Sequence, residues 1–314
     1  MFKKLLNKLL SFLFVGETVT NGSQTPDELS RVNGGELIDY AGSVKSFLRF
    51  LTGYERQAAF GASVTIPLLG LFKVRSTDKM EIAEKVVAPL TVANVVLSKD
   101  LEIPTVLHHG DVQVLLETYT QSAYDTSVYK SLLAKFQSFI LEKIIEHKGT
   151  LEANLAGFDP VHKATGINFE NIVKGNAYLD GIGAEDDSRA LIVHSTREID
   201  VMNIPEYKKT TYVTVSSETG GLKNFLWTFI VRFDAKDDAG TPMNKNLTFM
   251  VYKGSIAYAM TPIVRRPQIE GKFNKVLDIT TVGATPLSVV QSVQNLTSQE
   301  YEEKVVPAYF TIEQ

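Results

Sequence analysis

Residues 124–148 read YDTSVYKSLLAKFQSFILEKIIEHK, and this stretch decides the fold. Val128, Leu132, Leu133, Phe136, Phe139, Ile140, Ile144 and Ile145 recur at the three- and four-residue spacing of one helical face. Asp125 or Ser127 can cap the start, His147 and Lys148 place basic groups in the last turn, and Gly149 marks the stop. No proline or glycine interrupts the run. At 1.5 Å per residue the predicted helix is roughly 37 Å long, more than a small domain needs to cross its own core.

Around that helix the chain is mixed. With 314 residues it can bury one large core or two smaller ones. A net charge of −4 leaves no basic surplus for a dedicated nucleic-acid binder. Cysteine is absent, which removes disulfides, thiolate metal sites and cysteine nucleophiles together. No apolar run reaches the length of a membrane-spanning helix.

The N-terminal MFKKLLNKLLSFLFVGE imitates a signal peptide, but Asn7 and Lys8 break the apolar run and no small-residue cleavage site follows. Phe2, Leu5, Leu6, Leu9 and Leu13 against Lys3, Lys4, Asn7, Lys8 and Ser11 describe an amphipathic helix. It can dock on protein, lie on a membrane or pack on its own domain. Residues 16–35 read as a polar linker, and 36–51 as a second helix ended by Gly53. An extended run follows over 62–70. Residues 71–104, rich in Val, Ile and Thr and punctuated by Pro89 and Pro104, form a long two-stranded excursion too polar for a core of its own. Such a hairpin needs a partner surface.

Beyond the long helix, itself preceded by a short one from Asp111 to about Gln121, residues 151–166 are irregular. Residues 168–183 are helical, 190–195 form a buried strand, and 196–203 form a helix capped by Ser195 or Thr196. Strands follow at 210–217, 225–233, 247–260, 275–284 and 303–312. The class is therefore α+β, without a fixed-period repeat.

Chemistry is sparse. The five histidines, His108, His109, His147, His162 and His194, contain no helical i, i+4 pair. His108 and His109 are adjacent, so in an extended segment they point to opposite faces and do not share an ion with Asp111. His194-Ser195 ends a buried-type strand, but lacks the nucleophile elbow and reads as a helix cap. Asp234, Asp237 and Asp238 hint at calcium, yet Ala239 and Lys245 stand where the EF-hand pattern requires Gly and Glu. Gly181-Ile182-Gly183 follows a helix rather than opening one, so no phosphate cradle forms there. No residue is assigned to catalysis, to a cofactor or to a metal.

The order of these stretches resembles the major capsid proteins of tailed bacteriophages, with the Hong Kong 97-type fold. ASVTIPLLG and the charged excursion after it look like that family's extended loop. DVQVLLETYTQSAYDTSVYKSLLAKFQSFILEKI looks like a short helix followed by the spine helix. INFENIVKGNAYLDGIGAEDDSRALIVHSTREIDVMN resembles a helix, a turn, an arginine-led apolar strand and a short helix. FLWTFIVRF and MVYKGSIAYAM, with Gly254, look like the late strands. The likeness spans roughly residues 55–290 and leaves both ends unmatched. No crosslinking lysine–asparagine pair can be placed. Encapsulins share the fold and are the nearest alternative, with a soluble hydrolase further off.

The resemblance implies an N-terminal arm over 1–54 and an extended β-hairpin loop over 55–105. It implies a peripheral domain over 106–165 around the spine helix 124–148, a mainly axial domain over 166–260, and return strands to the peripheral domain over 261–314. It implies a non-enzymatic homo-oligomer, pentamers and hexamers of an icosahedral virion shell. Its partners are scaffolding, portal and decoration proteins, and packaged double-stranded DNA touched nonspecifically, with no membrane. The inward-facing cations expected are Lys3, Lys4 and Lys8.

Overall fold

A computed structural model describes residues 47–55, 61–69, 90–108, 121–184, 188–209, 212–216, 222–233, 235–237, 241–270 and 273–314. The first half holds strands β1 (Thr52–Glu55), β2 (Ser63–Leu69), β3 (Leu90–Val96) and β4 (Lys99–His108), then helix α1 (Gln121–Asn154). Next come β5 (Lys163–Thr165), α2 (Phe169–Gly181), β6 (Ala190–His194), α3 (Glu198–Met202), β7 (Val213–Ser216), β8 (Leu222–Phe225) and β9 (Thr228–Phe233). The chain ends with β10 (Leu247–Val251), β11 (Ile256–Met260), β12 (Val264–Glu270), β13 (Phe273–Pro286), β14 (Ser288–Gln294), β15 (Tyr301–Pro307) and β16 (Phe310–Glu313).

Helix α1 is longer than its sequence signals. It runs 34 residues, about 51 Å at the standard rise, and passes straight through Gly149. Leu151 and Leu155 are buried just beyond, and Lys148 pairs with Glu152 one turn on at 3.0 Å. Burial of that last turn outweighs the cost of an interior glycine, which is about 1 kcal/mol. Asp125 and Ser127, read as caps, lie inside the helix. Seven of the eight side chains chosen by periodicity are buried, and Ile145 packs against the same core from a partly buried position.

The central layer is a seven-stranded sheet ordered β5-β16-β10-β6-β9-β8-β7. Both faces are covered, which is why ALIVH reads as continuous apolar sequence rather than alternating. Ala190 and Ile192 face α1, with Val231 and Phe249. Leu191, Val193 and Met250 face the opposite way, toward Ile172 and Leu179 of α2 and Val201 of α3. β6 and β9 are parallel, and α3 lies on the crossover between them.

A second sheet places β13 between β4 on one side and β12 and β11 on the other, with β1 outside β11. β11 alternates strictly. Ile256, Tyr258 and Met260 enter the α1 core, while Ala257 and Ala259 meet Val64 and Val95 of the β2–β3 ribbon and Leu97 just beyond it. Tyr258 also packs edge-on to Phe136 of α1, with ring centroids 5.4 Å apart.

Several expectations are corrected. Within the predicted 36–51 helix, the described part is a 3-10 turn, Phe47–Phe50, and Gly53 lies inside β1 rather than ending a helix. Of the 71–104 excursion, β3 pairs with β2, but β4 leaves the ribbon and pairs along its length with β13. Pro104 sits within β4 opposite Leu277, tolerated because β4 pairs on one side only among the described residues. The predicted 225–233 strand breaks at Leu226 and Trp227, and 247–260 is two strands in different sheets. The 303–312 run also splits, with β15 in a hairpin with β14 and β16 between β5 and β10. The 1–35 segment, residues 36–46 and the 111–120 part of the short helix lie outside the described residues.

Candidate functional site

The histidines are placed separately rather than brought together. His147, inside α1, bonds Tyr309 Oη at 3.0 Å and Ser288 Oγ at 2.9 Å, and burial lowers its pKa. His162 is 2 % exposed, and neither ring nitrogen has a hydrogen-bond partner. Burial first, and the Lys163 ammonium second, push its pKa down to about 4. His194 is buried edge-on to Phe233, and its Nδ1 accepts from the Thr196 backbone N–H at 3.2 Å. His194 itself caps the turn that Ser195 or Thr196 was expected to cap, and α3 starts only at Glu198. His108 ends β4, and His109 and Asp111 lie outside the described residues. Among the described residues, no group of three or more His, Cys, Asp or Glu side chains could hold a metal ion.

An open groove of about 710 Å³ lies between the start of α2 and the Asn203–Glu206 segment, lined by Glu170, Asp200 and Glu206 with Ile167 and Phe169. Asp200 is held by Arg197 at 3.1 Å and accepts from the Gln314 amide at 3.3 Å. The lining has carboxylates and amides but no imidazole, hydroxyl or lysine. Asp237 accepts from the Thr241 backbone N–H at 2.7 Å, the solvated turn expected for that loop.

What the fold does build is rigidity around α2. Arg189, the arginine that leads β6, is fully buried and donates to Asp180 Oδ1 at 2.5 Å and to the Ala184 carbonyl at 2.7 Å. It thereby ties the C-terminal turns of α2 to the sheet. Asn176, buried in mid-helix, donates to the Leu226 carbonyl at 2.8 Å and accepts from Thr228 Oγ1 at 2.8 Å. These bonds pin the β8–β9 turn, where Leu226 and Trp227 take φ of 52° and 60°. Asparagine is a poor helix former, so its place inside α2 is explained by this clamp. The sequence signal was available: a polar amide on the apolar face of an otherwise regular helix.

The β2–β3 ribbon is seated by close backbone approach. A Cβ at Gly283 would fall inside contact distance of the Val96 carbonyl, so only glycine lets β3 lie against β13. From that seat the ribbon pairs outward as far as Leu69 and Leu90.

No family model matches the sequence, and no curated protein matches it. Solved structures do. The chain is similar to one titled "The head structure of Helicobacter pylori bacteriophage KHP40", with TM-score 0.51 and 10% identity, over 95% of this chain and 96% of that one. It is similar to a structure from Mycobacterium phage Che8, with TM-score 0.50 and 12% identity, over 95% and 97%. A structure titled "Capsid of Ralstonia phage GP4" aligns with TM-score 0.50 and 8% identity, over 95% of each chain. The chain has the α+β fold of these phage structures, as expected of the Hong Kong 97 type.

Proposed function

We propose that the chain is the major capsid protein of a tailed bacteriophage, a structural subunit that closes into an icosahedral shell around double-stranded DNA. The observation that carries this is end-to-end similarity to phage head and capsid structures, covering nearly all of both chains. A 51-Å-class helix, a projecting two-stranded ribbon and a double-faced sheet suit a subunit that contacts several neighbours through modest interfaces repeated until the shell closes. In this reading α1 with the β13 sheet forms the peripheral domain, and the β2–β3 ribbon is the base of the extended loop. The seven-stranded sheet with α2 and α3 forms the axial domain at pentamer and hexamer centres. That moves 256–260 to the peripheral side, and 163–165 and 310–313 to the axial side, of the boundaries expected from sequence.

The arm expected over 1–54 carries Lys3, Lys4 and Lys8, which in this reading are the cations offered to the genome. DNA contact through so few cations is weak and salt-sensitive, and unchanged packaging after replacing all three by Gln would exclude it. Scaffolding, portal and decoration proteins are the further partners of a virion subunit. No helix among the described residues is long and apolar enough to cross a membrane.

Electron microscopy of the purified protein beside size-exclusion chromatography tests the reading. Closed shells, tubes or isolated pentamers and hexamers support it, and nucleic acid rather than protein cargo separates a phage head from an encapsulin. A chain that stays monomeric or dimeric at high concentration, with and without a co-expressed scaffolding protein, refutes it.

A further inference from the structure

Two apolar patches flank the seven-stranded sheet. Of the eleven exposed large apolar side chains among the described residues, eight fall into two groups of four. Val173, Tyr212, Val215 and Trp227 gather at the β7 end. Val290, Leu296, Tyr301 and Val305 lie on the β14–β15 hairpin. That hairpin sits at the opposite end of the sheet: Asn295 bridges Phe158, Gln294 accepts from the Asp159 backbone, and the chain runs on into β16, next to edge strand β5. Six strand spacings, roughly 29 Å, separate β5 from β7.

The β7 patch is presented at a cost. A two-residue hairpin turn with both φ positive favours Asn-Gly, yet this one carries Leu226 and Trp227. The Asn176 clamp holds it, Leu226 is buried beneath, and the Trp227 ring stands 68 % exposed. Strain that displays a large aromatic to solvent points to a contact. β7 itself, Val-Thr-Val-Ser, has neither the charge nor the proline that usually protects an edge strand. The cations around it are Lys174, Lys209 and Lys223, all exposed.

On the hairpin the signs reverse. Its inward side chains Val289, Val293 and Val306 join the core under α2. Its outward face pairs Val290 with Val305 and Gln294 with Tyr301, with Glu303 between them on β15 and Glu300 at the tip. With Glu170 beside Val173 and Lys304 paired to Glu302 on β15 as the exceptions, lysines are in excess around one apolar patch and carboxylates around the other, at opposite ends of one sheet.

We infer that these two patches meet head to tail, the Trp227 patch of one copy seating on the β14–β15 hairpin of the next, so that the second copy of this chain is the partner. A contact between different surfaces of identical chains closes into a ring when its rotation allows. The inference rests on the shell reading and adds to it which residues join neighbours within a capsomer.

Trp227 is the single tryptophan of the chain, so its fluorescence reports this contact alone. In assembled wild-type particles the emission shifts to shorter wavelength, and most of the acrylamide quenching seen for the denaturant-unfolded chain is lost. Trp227→Gly removes the exposed ring while suiting the positive φ, so the variant chain unfolds at higher temperature than wild type yet fails to assemble. Val305→Lys, on the other patch, blocks assembly with the unfolding temperature unchanged. Particles in which Trp227 is quenched as freely as in the unfolded chain, or normal assembly by Trp227→Gly, overturn the inference and leave the shell reading standing. Absence of any particle from the wild-type chain removes both.

Discussion

Acidification should weaken this fold chiefly through His162. The ring is 2 % exposed with both nitrogens unpartnered. Lys148 and Lys163 stand near it as cations, and Glu152 and Glu313 as carboxylates. Those four are themselves linked, Lys148 to Glu152 and Glu313, and Lys163 to Glu152 at 2.9 Å. With the folded pKa held down to about 4 against an ordinary 6.5, the unfolded chain takes up its proton first as pH falls. The stabilisation is therefore complete above pH 6.5 and is lost as pH drops from there through 4. At ~1.4 kcal/mol for each tenfold in proton affinity, the ceiling on the loss is about 3 kcal/mol. His147, lowered by burial as well, adds in the same direction. The assay is urea unfolding of the unassembled chain at pH 7, 6, 5 and 4, wild type against His162→Met, a non-titrating side chain of similar volume. The variant should lose up to about 3 kcal/mol less than wild type across that range. Parallel pH profiles for the two proteins would refute the reasoning.

Further outcomes follow from contacts already described. Gly283→Ala forces a methyl onto the Val96 carbonyl; backbone cannot yield as a side chain would, so about 3 kcal/mol of stability should go, with amide-exchange protection lost first in β2 and β3. Asn176→Ala leaves the buried Leu226 carbonyl without its helix donor and Thr228 Oγ1 without its acceptor, costing about 2–4 kcal/mol; Trp227 emission should broaden as the turn loosens. Gly149→Ala lies in mid-helix with nothing within 4 Å of the added methyl, so thermal unfolding should show a gain of about 1 kcal/mol. Ser255→Ala strands the Ala308 carbonyl and the Tyr252 N–H, both bonded to its buried hydroxyl, and should cost about 1–3 kcal/mol in urea unfolding.

The extended ribbon shows how much of the fold was legible. ASVTIPLLG announces β2, and the Val-rich run after Pro89 announces β3, because strand propensity and proline punctuation are local. That β4 leaves the ribbon for β13 is invisible locally, since the choice depends on a strand some 170 residues later. The break at Leu226–Trp227 was missed for a related reason: nothing in Leu-Trp signals a hairpin turn, and the conformation is imposed from outside by Asn176. The absence of an assigned catalytic centre came from motif and spacing, whereas the separation of His147, His162 and His194 is a fact of packing.

By itself the sequence determined the elements whose cause is periodic or compositional: the apolar stripe of α1, the double-buried β6, and the α+β order that resembles a capsid subunit. Only the tertiary structure decided where α1 ends, which strands share a sheet, and that two apolar patches of opposite rim charge stand at opposite ends of that sheet. Periodicity records which side of an element is buried. Pairing partners, clamped turns and complementary surfaces depend on groups distant in the chain, and their energies appear only once those groups are brought together.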